Sequence, residues 1–366
     1  MNVVFRADAS LTIGNGHVMR CLTLAGELRR RGSNCTFICQ VHPGHLVEKI
    51  RQAGFQVFPL KCEGGTPAGC RYIGEGSVFD WESDARWSLE ALAIAGQGAV
   101  VDWMIVDHYD LDAKWEHAVS EGSRRLMVID DRADRPHDCN ILLDQNLGRN
   151  VTDYKNLVKP NCVVVAGPEY ALLRPDFYQL RDESIQGRRN RTPKHFMISM
   201  GGVDEGNATG RVLNALNRCK LPTGTHVTVV MGPHAPWIGK INEQVSKMSL
   251  PAKIKVDINN MAELMAECDI AIGAAGSTSW ERCCLGLPAI VFCLADNQKE
   301  AIAALELHRA AVASELQEVD GDAKIFSNKV NFLIENFHQL IQWASEITNG
   351  QGCLKISEML IKQSSG

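Results

Sequence analysis

"DASLTIGNGHVMRCLTLAGELRRRG", residues 8–32, follows an apolar run that begins at Asn2. The run predicts a strand. Val18, Cys21, Leu22, Ala25 and Leu28 then fall on one face at helical spacing, so the stretch reads as strand, glycine turn, helix. Gly14 and Gly16 let the backbone of that turn take positive φ and approach a ligand closely, and the helix start offers unpaired N–H groups to an anion. A plain tight turn satisfies the same pattern. His17 stands on the first helical turn, as a surface residue or as a working group. A dinucleotide fingerprint is disfavoured, because its third glycine is Met19 here and strand two ends "FICQVHPG" without an acidic residue for a ribose.

The alternation continues outward. Residues 3–6, 35–39, 56–60, 103–107, 126–129 and 163–166 read as strands with helical segments between most of them, which means a parallel sheet with crossover helices. Residues 61–77 are Gly-rich and aperiodic and read as a loop. The polar stretch 176–194, bounded by prolines, reads as a linker, after which the alternation restarts with "HFMISMGG". The expected organisation is an N-terminal α/β domain over 1–175, a linker over 176–194, a nucleotide-binding α/β domain over 195–349 and a tail of unassigned role over 350–366. The expected fold class is α/β, two doubly wound Rossmann-like domains of GT-B type facing across a cleft, with ligands at the carboxyl ends of the strands.

Composition narrows the partners. At 366 residues the chain suits two cores, and its net charge of −5 lacks the clustered basic footprint of a nucleic-acid groove. No apolar run of about 18 residues is present, so neither a membrane span nor a membrane partner is expected. The start "NVVFRAD" lacks the pattern of a signal peptide, and a cytoplasmic location is expected. The 13 cysteines are scattered, without a CxxC pair, and read as reduced thiols. The oligomeric state is left open, a monomer being sufficient.

The second half repeats the glycine theme. Gly201 and Gly202 end one strand; Gly276, Ser277 and Thr278 end another, each turn opening a helix whose amides suit a diphosphate. Ser277 or Thr278 serves equally as a helix cap. Glu281, one turn further, is placed to accept from a ribose diol or to sit solvated on the helix.

With these residues assembled, "DINNMAELMAECDIAIGAAGSTSWERCCLGLPAIVFCLADNQ" resembles the nucleotide-sugar half of GT-B enzymes, especially the transferases that add N-acetylglucosamine to lipid I. The resemblance implies diphosphate binding at Gly276, Ser277 and Thr278, ribose binding at Glu281, uracil recognition by backbone near Ile258 and Met261, and sugar contacts at Asn297 and Gln298. "RADAS", "IGNGHVMRCLTLA", "IVDHYDLDAKWE", "VIDDRADRPHDCNILLDQNLG" and "YALLRPDF" together resemble the UDP-sugar hydrolases of pseudaminic acid biosynthesis, over nearly the whole chain. That family releases UDP from UDP-2,4-diacetamido-2,4,6-trideoxy-β-L-altrose with water, and the resemblance places the catalytic base at His17.

The chemistry agrees with one base. UDP leaves well as an anion, so the second carboxyl group of ordinary glycosidases is dispensable. The positive helix end is expected to depress the His17 imidazolium and keep the ring neutral near pH 7. Tyr109 is expected to orient the sugar or the water, with Gly14 and Gly16 lining that subsite. Asp8 is expected to orient His17 or bind a sugar hydroxyl, or else to cap its loop; Arg6 and Arg20 read as structural or phosphate-adjacent. Asp107, His108, Asp130, Asp131 and His137 invite a metal, but their spacing matches no ligand motif, and no metal or cofactor is expected. The alternatives are a glycosyltransferase using a UDP-N-acetylated amino sugar donor, and a non-catalytic UDP-sugar sensor.

Overall fold

The computed structural model describes residues 1–60, 80–295, 298–321 and 323–364. They divide into two compact units, one of residues 1–172 with 352–366 and one of residues 173–351. The loop expected at 61–77 lies outside the described residues.

In the first unit the elements run β1 (Asn2–Ala7), α1 (Gly16–Arg30), β2 (Asn34–Gln40), α2 (Val47–Gln52), β3 (Gln56–Leu60), α3 (Trp81–Ala95), β4 (Val101–Asp107), α4 (Ala113–Ala118), β5 (Ser123–Ile129), β6 (Ile141–Asp144) and β7 (Val163–Ala166). The strands form one parallel sheet in the order β3-β2-β1-β4-β5-β6-β7. Both faces are covered, as the near-continuous apolar strands require. Val3, Phe5, Trp103 and Ile105 pack with Val18, Cys21, Leu24 and Leu28 of α1. Val4, Met104 and Val106 point the other way, onto Leu92 of α3 and Trp115 of α4. β6 was not among the expected strands; its four residues are all buried, too short a run to show a period.

The second unit runs α5 (Pro175–Arg189), β8 (His195–Ser199), α6 (Ala208–Arg218), β9 (His226–Met231), α7 (Ile238–Ser246), β10 (Ala252–Val256), α8 (Met261–Glu267), β11 (Ile270–Ala274), α9 (Thr278–Cys284), β12 (Ala289–Phe292), α10 (Lys299–Leu307), β13 (Val312–Ser314), α11 (Leu316–Asp320), α12 (Ala323–Glu335) and α13 (Phe337–Ile347). Its sheet is also parallel, ordered β10-β9-β8-β11-β12-β13.

Two expectations are corrected. Most of the stretch 176–194 is helix α5 rather than linker: Pro175 starts it, where a missing N–H is harmless, and Phe177, Ser184, Ile185 and Arg188 are buried. Its polarity misleads because Arg188 is not a surface residue. The guanidinium donates to the carbonyls of Met265 and Cys268 at the end of α8 and of Leu285 at the end of α9, at 2.7, 3.0 and 2.5 Å. The tail has a structural role: it forms α14 (Gly352–Ser364), whose Cys353, Ile356 and Leu360 join the α1 side of the first core. There Trp103 Nε1 donates to Leu360 O at 3.2 Å and to Ser364 Oγ at 2.7 Å.

Candidate active site

Strand order reverses on either side of β1 and β4 in the first sheet, and of β8 and β11 in the second. In open α/β sheets the crevice at the carboxyl ends of such strands is where ligands bind.

At the first reversal, Ser10 shapes the loop after β1. Its Oγ accepts from Ile13 N at 2.9 Å, its carbonyl accepts from Gly14 N at 2.9 Å, and Gly14 takes the left-handed φ of +82°. A Cβ at Gly14 or Gly16 would meet no described atom within 4 Å, so at Gly16, where φ is ordinary, neither packing nor conformation calls for glycine. The turn delivers His17 to the end of β4. His17 Nδ1 lies 2.7 Å from Asp107 Oδ1 and 3.1 Å from Asp107 O. Two acceptors at one ring nitrogen fix the proton there, which leaves Nε2 of the neutral ring with its lone pair. Tyr109 stands edge-on to the imidazole, ring centroids 4.5 Å apart.

The expectation that His17 is held neutral by the helix end is corrected. Burial pushes the imidazolium down, but the charge and hydrogen bond of Asp107 outweigh it, and the affinity for a proton is raised above the ordinary 6.5. Sequence spacing could not show a carboxylate 90 residues away at the same ring. Asp107 itself is held far below the usual carboxylate range: burial opposes its charge, but Arg20 and then His17 prevail.

Arg20, one turn beyond His17 on α1, joins two carboxylates. Its Nε and Nη2 donate to Asp107 Oδ2 and Oδ1, both at 2.6 Å, and its Nη1 donates to both oxygens of Asp131 at 2.9 Å. Asp131 also accepts from the Tyr109 hydroxyl at 3.3 Å. Arg20, Asp107 and Asp131 therefore belong with His17 and Tyr109, a grouping the sequence left undecided.

Asp8 does not orient His17, nor has it a free face for a sugar. Fully buried, it takes Arg6 on both oxygens at 2.5 and 2.9 Å, Gln40 N at 2.7 Å and His108 Nε2 at 3.1 Å. Arg6 is structural, shared between Asp8 and Asp84. His108 Nδ1 accepts from Asp110 N at 3.1 Å, so its Nε2 carries the proton that Asp8 receives. This braces the turn that holds Asp107 and Tyr109. Asp130 and His137 lie in a separate buried group with Arg135 and Glu116. Among the described residues no three His, Cys, Asp or Glu side chains converge on a metal position.

At the second reversal Gly201, with φ +93°, and Gly276, with ordinary φ, would each present a Cβ to no described atom within 4 Å. Gly202 is exposed beside Gly201. The two helix starts differ. At α6 the leading amides are already taken: Asp204 accepts from Ala208 N at 2.8 Å and Thr209 N at 3.0 Å, and Asn207 accepts from Gly210 N. An anion there would meet the backbone of the loop from Gly201 rather than the leading amides of α6. At α9 Ser277 makes no side-chain cap, so the capping explanation fails, and Thr278 is half-buried. Glu281 is half-buried rather than fully exposed: burial raises it to about 7 against the pull of Arg174 and Arg282. Arg174 in turn donates to Asn259 O at 3.2 Å, beside the half-buried Ile258 and Met261, so its charge acts on Glu281 from the segment expected to read uracil. Arg174 was visible in the sequence only as part of "YALLRPDF". The side-chain oxygen of Gln298 accepts from Leu294 N at 2.9 Å, which holds the amide in place and leaves its N–H groups and one lone pair for a sugar; Asn297 lies outside the described residues.

Several known proteins are similar to this chain. Residues 209–351 match the glycosyltransferase family 28 C-terminal domain. The UDP-2,4-diacetamido-2,4,6-trideoxy-beta-L-altropyranose hydrolase of Campylobacter jejuni is 28% identical over 301 residues, 82% of this chain and 94% of that one. An uncharacterized protein of Methanocaldococcus jannaschii is 27% identical over 304 residues, 82% of this chain but 57% of the relative, so the chain spans little more than half of that protein. Among solved structures, MurG of Acinetobacter baumannii superposes with a TM-score of 0.70 at 14% identity, covering 98% of this chain and 99% of that one. The chain thus has the GT-B fold, matches the glycosyltransferase family 28 C-terminal domain in its second unit, and is similar over four fifths of its length to a UDP-sugar hydrolase.

Proposed function

We propose that the protein hydrolyses UDP-2,4-diacetamido-2,4,6-trideoxy-β-L-altrose to UDP and the free sugar, with inversion at the anomeric carbon. The observation that carries the reading is the His17–Asp107 pair at the first strand-order reversal, an oriented imidazole with its Nε2 lone pair available. Nε2 takes a proton from water, the water oxygen bonds to C1, and the C1–O bond breaks with its electron pair going to the β-phosphate. Asp107 stabilises the imidazolium that forms. Gly14, Gly16 and Tyr109 are assigned to the sugar and water, with Asn297 and the amide of Gln298. Gly201, Gly202, Ile258, Met261, Gly276, Ser277, Thr278 and Glu281 are assigned to UDP. The similarity to the Campylobacter hydrolase supports the substrate.

A glycosyltransferase using the same donor is the second reading, favoured by the match of residues 209–351. One experiment separates the two: the UDP-sugar is incubated with the protein and no acceptor, and products are followed by NMR. Equimolar UDP and reducing sugar, abolished by His17→Asn, is the expected result. UDP released only when an acceptor is added would mean a transferase, and binding without turnover a sensor.

A further inference from the structure

We propose that Asp131 is a positioning residue for the base, holding the two neighbours of His17, Arg20 and Tyr109, in the geometry the base requires. The inference rests on the reading of His17 as the base. Its ground is charge and donor counting in a buried cluster. Arg20 is a fork with a carboxylate on each side, Asp107 at 2.6 Å and Asp131 at 2.9 Å. Asp107 is the counter-charge at the ring, but Arg20 on its other edge offsets part of it for an imidazolium forming on His17. Adding Asp131 gives the trio a net charge of −1, which matches the +1 that His17 acquires as it takes the proton. In a site this buried such a match is worth far more than in water. Asp131 does a second thing: it accepts from the Tyr109 hydroxyl, so it holds the ring that stands edge-on to the imidazole.

Asp131 is itself fixed from a third element. Asn146 Nδ2, from the loop after β6, donates to its Oδ1 at 3.3 Å, and Arg149 Nη2 donates to its carbonyl at 3.4 Å. The remaining charged and titratable groups around the cluster are Cys21, whose thiol lies 3.7 Å from Asp107 Oδ2, Arg132 over the Tyr109 ring, and the ion pair of Arg149 with Asp144, Nε 3.1 Å from Oδ2. Arg149 offsets Asp144 where that carboxyl is ionised, so the pair adds no net negative charge to the trio. Tyr154 Oη lies 2.9 Å from both Asp130 Oδ2 and Asp144 Oδ2. Burial, and then the charge of Asp131, raise Asp144 to about 7, so it is partly protonated at neutral pH.

The test reads His17 directly. In histidine-labelled full-length protein, the His17 ring signal is assigned by its absence in His17→Asn and titrated by NMR in wild type, Asp131→Asn and Asp131→Glu. Losing the charge should lower the His17 midpoint by roughly half a unit to one unit. Asp131→Glu, which keeps the charge, should restore most of the shift. The acid limb of UDP release should move with the titration. An unchanged midpoint in folded Asp131→Asn overturns the proposal. Should that variant fail to fold, Asp131→Ser removes the same charge with less bulk and is read the same way. Because the titration needs no turnover, a wild-type protein that releases no UDP overturns the hydrolase reading and leaves this result to be judged alone.

Discussion

Asp107→Asn is the substitution that strikes the site hardest, and the structure says why no rotamer rescues it. Oδ1 of Asp107 receives His17 Nδ1 at 2.7 Å and Arg20 Nη2 at 2.6 Å; Oδ2 receives Arg20 Nε at 2.6 Å. An asparagine must place its NH₂ on one side or the other. On the first side it opposes two donors and drives the His17 proton to Nε2, the wrong tautomer for a base. On the second it opposes the Arg20 Nε–H. Loss of a carboxylate that holds a catalytic imidazole in its tautomer costs about 10⁴-fold in kcat. UDP affinity should be nearly unchanged, since the residues assigned to UDP lie in the second unit. Breaking a buried pair also destabilises, by roughly 3–5 kcal/mol, so unfolding is followed alongside.

The assay is UDP release against pH, with UDP binding by calorimetry. In wild type the rate should fall on the acid side with a midpoint above 6.5, because protonation removes the base and the folded protein holds that proton more tightly than a free imidazole does. The sign for stability is opposite to that for activity. A proton bound more tightly when folded stabilises fully below pH 6.5, and that contribution is lost as pH rises through the raised value. Asp107→Asn should slow turnover throughout and shift any residual limb to lower pH. A folded variant turning over within a few-fold of wild type, or a wild-type limb at or below 6.5, would refute the orienting role.

Three further outcomes are expected. Hydrolysis in H₂¹⁸O should place the label on the sugar, whereas label in UDP would mean attack at phosphorus. Glu281→Ala should weaken UDP binding roughly ten- to a hundredfold, the scale of hydrogen bonds to a charged group. In wild type, with Glu281 raised to about 7, UDP should bind more tightly as pH climbs through that value, since the ionised carboxylate is the better acceptor for a diol; calorimetry should show this slope vanish in Glu281→Gln. Leu360→Ala, at a fully buried position of the tail helix, should cost about 2–5 kcal/mol of stability by denaturant titration, where a surface tail would cost almost nothing.

The parts of this molecule that were legible in the sequence are those written in local pattern. A strand, glycines and an amphipathic helix mark β1, its turn and α1 because their residue pattern lies within one short stretch, although β1 pairs with the distant β2 and β4. The second sheet was legible in the same way from "HFMISMGG" and "DIAIGAAGSTSWE". What failed was long-range. Arg188 counts as surface charge until the carbonyls of α8 and α9 are known to meet it, so α5 looked like a linker. The tail looked unassigned because Trp103, its partner, is about 250 residues away. At the site, the motif around His17 marked the residue but not its environment. Helix-end electrostatics argue for a neutral ring, and only the fold shows that Asp107 is nearer and stronger.

That reversal bears on how a single base can suffice. Raising the proton affinity of His17 has two consequences that oppose each other. Less of the ring is neutral at pH 7, yet each neutral ring abstracts a proton with greater driving force, so the net effect on rate is smaller than either. The cluster that raises the affinity also fixes the tautomer, and does so through groups that need no rearrangement when the imidazolium forms. Such pre-aligned charge lowers the barrier without a reorganisation cost. In the proposed hydrolysis UDP leaves as an anion, and no second proton transfer competes for these groups. The Asp131–Arg20–Asp107 cluster can then serve one event, the capture of one proton at Nε2, and its net charge of −1 is what that event requires.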